Sequence, residues 1–278
     1  MGNLKSDMKI TVFTTMTNPE KRNDPWKQAL NCYEDIADEI VVKGSDWPEE
    51  FNWDHIGKTF NSGFIDSNGD WAIRMDLDYF FHHDDISKIY QKLKQNNDVP
   101  AVVFPQYQFF SPDRYQIKTL ICIAYNKKSF PNIKLNGGGD LCLPTLDGKL
   151  LNPWKLPILD IPVWQYDSIF RTKKIISEDR ARFARAWHRY FNDWGDRGGG
   201  DPQTAFEAWI AGIENKYKKH TFKEKINNHP KYIKESLLSL EDNQFGYDVF
   251  GLKNNTSFKL IDIAKGYKLK KTIQIKAK

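Results

Sequence analysis

The chain has 278 residues, of which 40% are hydrophobic, so it can bury a sizeable core as one large domain or as two fused halves. Its formal net charge of +5 suits an anionic small ligand or a membrane surface, and is too small to indicate a protein that binds duplex nucleic acid. Three scattered cysteines, Cys32, Cys122 and Cys142, exclude a disulfide framework and a zinc site of the C-x-x-C type. Without a signal-peptide core or a membrane-length apolar run, the sequence predicts a cytoplasmic protein.

The first part of the chain predicts a strand, a helix and a second strand. Residues 9–15 are typical of a short buried strand, and Asp24 followed by Pro25 is a helix-start signal, with Asp24 as the N-cap. Apolar residues then recur at helical spacing over residues 26–37, and residues 39–43 predict the next strand. This arrangement is a βαβ unit.

The next part predicts another helix and a strand that ends in two aspartates. Apolar residues four positions apart mark a helix over residues 56–64, and residues 71–75 predict a strand that delivers Asp76 and Asp78. Strands that alternate with helices predict a mainly parallel sheet, whose ligands bind beyond the carboxyl ends of the strands. We therefore expect Asp76 and Asp78 to lie at a ligand site.

Two carboxylates at such a position suit a hard divalent cation. Mg²⁺ and Mn²⁺ prefer oxygen ligands, and Mg²⁺ is commonly held by one or two carboxylates together with substrate phosphates. The alternative is that Asp76 and Asp78 are solvated turn residues that close a strand, which is common for an isolated D-x-D.

Three segments, taken in order, resemble the nucleotide-sugar glycosyltransferases of the GT-A fold, in particular the family 2-like group. They are Phe13-Thr14-Thr15, Lys58-Thr59-Phe60-Asn61-Ser62-Gly63 and the run from Gly69 to Asp78. In order and spacing they look like the first nucleotide-binding strand, the Asn-x-Gly helix and the D-x-D strand of that family. The resemblance extends over roughly residues 9–95. It implies an α/β, GT-A-like and Rossmann-related fold, with a mainly parallel sheet flanked by helices and a helical C-terminal extension.

The resemblance also implies an activity. A GT-A glycosyltransferase of this group is expected to move a sugar from a nucleotide diphosphate donor to a glycan or another hydroxyl acceptor, with inversion. Mn²⁺ or Mg²⁺ is the expected cofactor, with Asp78 as a direct ligand and Asp76 near the donor ribose, acting partly through water. The nucleotide pocket is then expected to contain Thr14, Thr15, Lys58, Asn61 and Asp76.

A second, looser resemblance involves residues 161–171. They are similar to a family segment that usually carries His-Tyr followed by a basic residue, and here Gln165 stands where that histidine would be. Another group, such as His188 or His220, would have to replace the histidine, or the chain would do without it.

The acceptor side is expected to follow the D-x-D strand. Residues 101–104 and 119–125 predict two strands, and three glycines before Asp140 predict a permissive loop that lacks the ending of a phosphate-binding P-loop. Since the family places its general base on this side, Asp140 is the predicted base. An equally open alternative is that Asp140 only caps a turn.

The sequence suggests three segments. Residues 1–100 are expected to form the nucleotide-sugar half, residues 101–215 the acceptor half of the same domain, and residues 216–278 a basic extension that contacts an anionic membrane or stays solvated. Helices are predicted over residues 178–191 and from residue 201. Arginines on the first of these helices bind pyrophosphate or an anionic acceptor, or form a solvated face. They are Arg182, Arg185 and Arg189.

Two other classes of protein remain open from the sequence. A metal-dependent phosphohydrolase would use Asp76 and Asp78 with His82 and Asp85, although a phosphatase D-x-D normally follows the first strand. A non-catalytic carbohydrate-binding protein would account for the 14% aromatic content, though most such rings are packing residues. Neither class explains the ordered βαβ series.

Overall fold

The computed structural model describes residues 8–137, 143–240 and 259–277. The strands are β1 (Ile10–Thr15), β2 (Glu39–Lys43), β3 (Trp71–Arg74), β4 (Tyr79–Phe80), β5 (Ala101–Ser111), β6 (Arg114–Asn126), β7 (Ile133–Asn136), β8 (Leu143–Leu146), β9 (Lys149–Leu150), β10 (Val163–Tyr166) and β11 (Phe222–Lys223). The helices are α1 (Pro19–Arg22), α2 (Trp26–Ile36), α3 (Asp54–Asp66), α4 (Ile86–Gln95), α5 (Lys173–Phe191), α6 (Pro202–Tyr217), α7 (Lys234–Leu238) and α8 (Leu260–Lys276).

One eight-stranded sheet organises the molecule, in the order β2-β1-β3-β6-β5-β10-β4, with β11 paired to β6. The α/β class is confirmed, and so is the helical C-terminal extension. The expectation of a mainly parallel sheet is corrected, because β6 lies antiparallel between β3 and β5 and β4 lies antiparallel at the edge. The sheet is therefore mixed.

Strand direction decides where a ligand site forms. The pairs β1–β2, β1–β3 and β5–β10 are parallel. Since β6 runs against both β3 and β5, the strands β1, β2, β3, β5 and β10 all point the same way. Their carboxyl ends meet at one edge of the sheet, where ligands of α/β folds bind.

The core forms where helices cover the sheet. The side chains of Ile10, Val12, Phe13 and the whole of β3 are buried, which explains why these segments are apolar runs rather than alternating strands. Helix α3 packs closely on β1 because it carries Gly63, where a Cβ atom would lie 2.8 Å from the Phe13 ring. Most predicted elements are confirmed, while β5 and β6 extend well beyond the strands that the sequence predicts.

A buried cluster of charges joins the start of α2 to α5. Asp24 and Asp179 each contact both Arg22 and Arg171, with Arg22 Nη1 2.9 Å from Asp179 Oδ1 and Arg22 Nε 3.1 Å from Asp24 Oδ2. The prediction that Asp24 caps α2 is wrong: the helix begins at Trp26, after Pro25, without a side-chain cap. The Asp24 carboxylate is bound to guanidinium groups instead.

Replacing Asp179 with alanine should destabilise the fold by about 3–5 kcal/mol, since it leaves two buried guanidinium groups with one carboxylate between them. Chemical denaturation at neutral pH measures the free energy of unfolding. The matched control is Asp66→Ala, which removes a carboxylate from the exposed Lys43–Asp66 pair and should cost less than about 1 kcal/mol. Equal losses in the two variants would contradict a structural role for the buried cluster.

The same cluster predicts a dependence on pH. Burial tends to raise the pKa of Asp179, but the positive charges of Arg22 and Arg171 outweigh it and hold the pKa below the usual carboxyl range. A lowered pKa in the folded state stabilises the fold above the unfolded carboxyl pKa of about 3.9, and this contribution is lost as the pH falls through the folded value. The stability difference between wild type and Asp179→Ala should therefore shrink in acid.

Candidate functional site

A cavity of about 310 Å³ opens at the edge where the parallel strands end. Residues after β1, β3 and β10 line it, together with Trp47 after β2 and the inner face of α5. Among the residues that the structure describes, its wall includes five aspartates and three arginines, a formal excess of two negative charges. The aspartates are Asp24, Asp76, Asp78, Asp167 and Asp179, and the arginines are Arg22, Arg171 and Arg180.

Asp76 and Asp78 lie in a tight turn between β3 and β4. The backbone carbonyl of Asp76 accepts a hydrogen bond from the Tyr79 amide at 2.8 Å and another from the buried Tyr33 hydroxyl at 2.7 Å. The Asp78 carbonyl accepts the Tyr166 amide at 2.9 Å. Backbone bonds on both sides of the turn therefore fix where the two carboxylates enter the cavity.

The two aspartates differ in their side-chain partners. Asp76 Oδ1 lies 2.7 Å from Arg74 Nη1, and the Arg74 side chain is buried against the Phe60 ring. Asp78 Oδ2 accepts a hydrogen bond from Gln165 Nε2 at 3.1 Å. Both side chains present carboxylate oxygens in a wall with excess negative charge, which is the donor set that Mg²⁺ and Mn²⁺ prefer. Asp76 and Asp78 thus fit a divalent cation.

Gln165 belongs to a chain of buried amides that ends at Asp78. Gln106 on β5 donates from Nε2 to Gln165 Oε1 at 2.6 Å, and Gln165 in turn donates to Asp78. Gln106 and Gln165 are both buried. An amide that accepts at its oxygen and donates from its nitrogen has one favourable orientation here, so Gln165 holds the Asp78 carboxylate in place.

A second amide chain runs beside the first and ends at Asp167. Gln116 on β6 donates to Gln108 Oε1 at 2.7 Å, and Gln108 donates to Asp167 Oδ2 at 3.1 Å. Asp167 also accepts from Ser168 at 3.0 Å and lies 3.7 Å from Arg180. Two cavity carboxylates are therefore each oriented by a pair of glutamines from the central strands.

Sequence reasoning missed the strand glutamines Gln106, Gln108 and Gln116. Their signal is the spacing of Gln106 and Gln108, two residues apart, which puts both on one face of a strand. The sequence predicts a strand that ends at residue 104, before Pro105, so the two glutamines were not assigned to a strand. In the structure β5 continues through Pro105 with a shift in its pairing to β6.

Of the residues expected to bind the nucleotide, some line the cavity and others do not. Thr15 and Asp76 line the cavity, while the side chain of Thr14 is fully buried and is not among the lining residues described. Lys58 is exposed and pairs with Asp54 at 2.6 Å on the outside of α3. Asn61 binds the backbone of β7, accepting from the Leu135 amide at 2.9 Å and donating to its carbonyl. Lys58 and Asn61 are also not among the described cavity residues.

The predicted base, Asp140, lies outside the residues that the structure describes. Among the described residues, Asp167 is another carboxylate that lines the same cavity as Asp78.

Neither histidine suggested as a replacement at the Gln165 position reaches the described part of the cavity. His188 stacks on Trp194, and His220 is fully buried against Phe110. Burial lowers the pKa of His220 to about 3. The contact with Asp78 comes from Gln165 itself, a group that does not ionise.

A separate cluster, His82, His83 and Asp84, has potential ligand atoms within 4.8 Å of one another. However, His82 Nδ1 accepts the Asp84 amide at 3.3 Å and His83 Nδ1 accepts the Lys231 amide at 3.4 Å. In a neutral imidazole, the nitrogen that accepts a hydrogen bond carries the lone pair, and the other nitrogen carries the proton. The lone pair of each ring is therefore already used by a backbone amide rather than directed at a metal. The cluster is less suited to a metal than the pair Asp76 and Asp78.

The arginines of α5 contact a neighbouring loop. Arg182 donates to the carbonyls of Glu49 at 2.9 Å and Pro48 at 2.7 Å, while Arg185 and Arg189 both bind the Glu50 carboxylate. These contacts hold α5 against residues 47–51. Arg182 is buried, Arg185 is half-buried and Arg189 is exposed, and none of the three is among the described residues of this cavity. Arg180 is the arginine of α5 that lines the cavity.

Comparison with known proteins gives one family match. The model described as glycosyl transferase family 2 matches residues 47–147, which include the turn with Asp76 and Asp78 and the glutamines of β5 and β6. Among solved structures, the chain is similar to S. aureus TarS 1–349, at 10% identity over 75% of this chain and 80% of that chain, with a TM-score of 0.32. No curated protein matches the sequence.

Replacing Gln165 with leucine should weaken Mn²⁺ binding by about 10- to 100-fold, the usual cost of losing a group that orients a metal ligand. Titration of Mn²⁺ followed by electron paramagnetic resonance measures the affinity. The matched control is Gln116→Leu, which breaks the amide chain that ends at Asp167 and should leave Mn²⁺ affinity nearly unchanged. If both variants lose the same affinity, the effect is general loosening of the sheet.

Proposed function

We propose that the chain is a family 2-like glycosyltransferase with a GT-A-type α/β fold, which transfers the sugar of a nucleotide diphosphate donor to a hydroxyl acceptor with the help of a divalent cation. The observation behind the metal dependence is the pair Asp76 and Asp78 in a negatively charged wall at the carboxyl edge of the sheet. A glycan is the acceptor class we propose.

Several cavity residues are suited to binding the diphosphate of the donor. A cation held by Asp78 and Asp76, either Mn²⁺ or Mg²⁺, would offset the negative charge that develops on the departing diphosphate. Tyr33 and Tyr166 hold the backbone of the turn, and Gln165 holds the Asp78 carboxylate, so the ligands are pre-positioned. Arg180, whose Nε has no described partner, lines the same cavity and is proposed to attract the diphosphate.

The acceptor side needs a base. As the acceptor oxygen forms its bond to the anomeric carbon, its proton must pass to a carboxylate while the bond from that carbon to the diphosphate oxygen breaks. Asp167 is proposed for this step because it lies in the same wall as Asp78 and is oriented by Gln108 and Ser168. A single displacement, in which the acceptor oxygen attacks the face of the anomeric carbon opposite the departing diphosphate, would give inversion. Asp140, predicted from the sequence, remains the competing proposal.

The two other classes receive less support. A phosphohydrolase of the kind considered would need His82 and Asp85 beside the two aspartates, and neither is among the cavity residues described. Asp85 pairs with Lys88 at 2.7 Å instead. The match to the glycosyl transferase family 2 model over residues 47–147 favours an enzyme over a protein that only binds carbohydrate.

The metal proposal is tested with Asp78→Asn, which keeps the side-chain size and removes the anionic ligand. In wild type, one nucleoside diphosphate should raise the unfolding midpoint only when Mn²⁺ is present, since a ligand at about one hundred times its dissociation constant stabilises by about 2.7 kcal/mol. In Asp78→Asn this metal-dependent shift and sugar transfer should both be lost. A full shift and near-normal transfer in the variant at saturating Mn²⁺ would remove Asp78 from the metal site.

The base is tested by comparing Asp167→Asn with Asp140→Asn. Loss of the base should lower turnover by about 10²- to 10⁴-fold and leave metal-dependent donor binding almost unchanged, because the base acts on the acceptor proton. Donor titration and turnover on the same preparations separate the two effects. We expect the large loss in Asp167→Asn. The same loss in Asp140→Asn, with full turnover in Asp167→Asn, would assign the base to Asp140.

A further inference from the structure

Helix α8 is seated on the sheet by one of its faces. Ile273 is buried, Leu269 packs against the core, and Gly266 lies so close to the β11 region that a Cβ atom would be 2.8 Å from Thr221 Oγ1. Tyr267 and Phe222 contact each other edge to face at 5.1 Å. The helix is therefore anchored to the domain, and its other face points outwards.

The outward face of α8 is unusually apolar for a surface. Leu260, Ile261, Tyr267 and Ile275 are 83%, 60%, 58% and 64% exposed. Leu260, Tyr267 and Ile275 recur at helical spacing and share one face with exposed Ala264. Single exposed apolar residues are ordinary, but a row of them along one helix marks a surface that contacts something else.

The same face carries two lysines. Helix α8 contains five lysines and a single acidic residue, Asp262, which is half-buried. Lys268 and Lys271 are exposed among the apolar side chains, and Lys265 borders them. A surface that combines large apolar groups with lysines, and lacks exposed carboxylates, is complementary to a layer that is apolar inside and anionic at its surface.

Trp154 extends this surface at the end of the helix. Its ring is 44% exposed, and Lys276 lies over it with Nζ 5.4 Å from the ring centroid. Tryptophan is enriched at the boundary between water and hydrocarbon, because its ring is apolar and its N–H is polar. None of the helices that the structure describes is both long and apolar enough to span a bilayer.

We propose that the outward face of α8, with Trp154 at its edge, docks this enzyme on an anionic phospholipid surface. The helix would lie along the membrane, with Leu260, Tyr267 and Ile275 in the headgroup region. Lys268 and Lys271 would meet the lipid phosphates. Aromatic and aliphatic side chains distinguish this surface from one that binds nucleic acid through charge alone. The proposal is independent of the donor, the metal and the base.

The test is sedimentation of the full chain with vesicles. The protein should co-sediment with vesicles of phosphatidylcholine and phosphatidylglycerol, and much less with phosphatidylcholine alone. High salt should weaken the binding. Lys268→Glu with Lys271→Glu should lower the partition coefficient by at least about tenfold, since each lysine near an anionic surface adds roughly fivefold. Leu260→Ser with Ile275→Ser should also lower it while keeping the salt dependence.

The matched control reverses two lysines on α4, Lys92→Glu with Lys94→Glu, and should bind vesicles like wild type. All altered side chains except Lys92 are exposed, so circular dichroism melts should stay close to wild type in each variant. Equal binding to neutral and anionic vesicles, or an equal loss in the α4 control, would overturn the proposal. So would self-association through α8 without any vesicle binding, which would make a second copy of the chain the partner.

Discussion

The pairing of β6 between β3 and β5 is the constraint on which the site depends. Because β6 runs against both neighbours, β5 and β10 point the same way as β1 and β3. Without that reversal the turn with Asp76 and Asp78 and the end of β10 would lie at opposite edges of the sheet. With it, Gln165 and Asp167 line the same cavity as the two aspartates. The hairpin of β5 and β6 supplies the glutamines whose amide chains end at Asp78 and Asp167.

The sequence predicted those parts of the fold that local patterns encode. The apolar run of β1, the helical spacing of α2 and the strand before Asp76 all follow from side-chain periodicity, and the structure confirms them. Strand pairing depends on partners distant in the chain, so the insertion of β6 had no local signal. The polar character of Gln106 and Gln108, next to Pro105, concealed the middle of β5 for the same reason, since those amides donate to Gln165 and Asp167, which lie far along the chain.

The sequence predicted which aspartates lie at the ligand site but not the groups that support them. Asp76 and Asp78 were predicted because they follow a buried strand within an ordered series of segments, and both line the cavity. Lys58 and Asn61 were expected at the nucleotide by resemblance, yet Asn61 satisfies the backbone of β7 and the nearby Gly63 allows α3 to approach Phe13. The Asn-x-Gly segment therefore has a packing role in this chain, which a residue pattern cannot distinguish from a binding role.

The direction of the amide chain has a consequence for divergence. Gln165 can donate to Asp78 only if its oxygen faces a donor, and Gln106 supplies that donor. A neutral histidine at position 165 could make the same two contacts, accepting from Gln106 at one ring nitrogen and donating to Asp78 from the other, whereas a carboxylate would face Asp78 with a second acceptor. Histidine and glutamine at position 165 are thus equivalent in hydrogen bonding to Gln106 and Asp78 but differ in charge, since only the histidine can take up a proton near neutral pH.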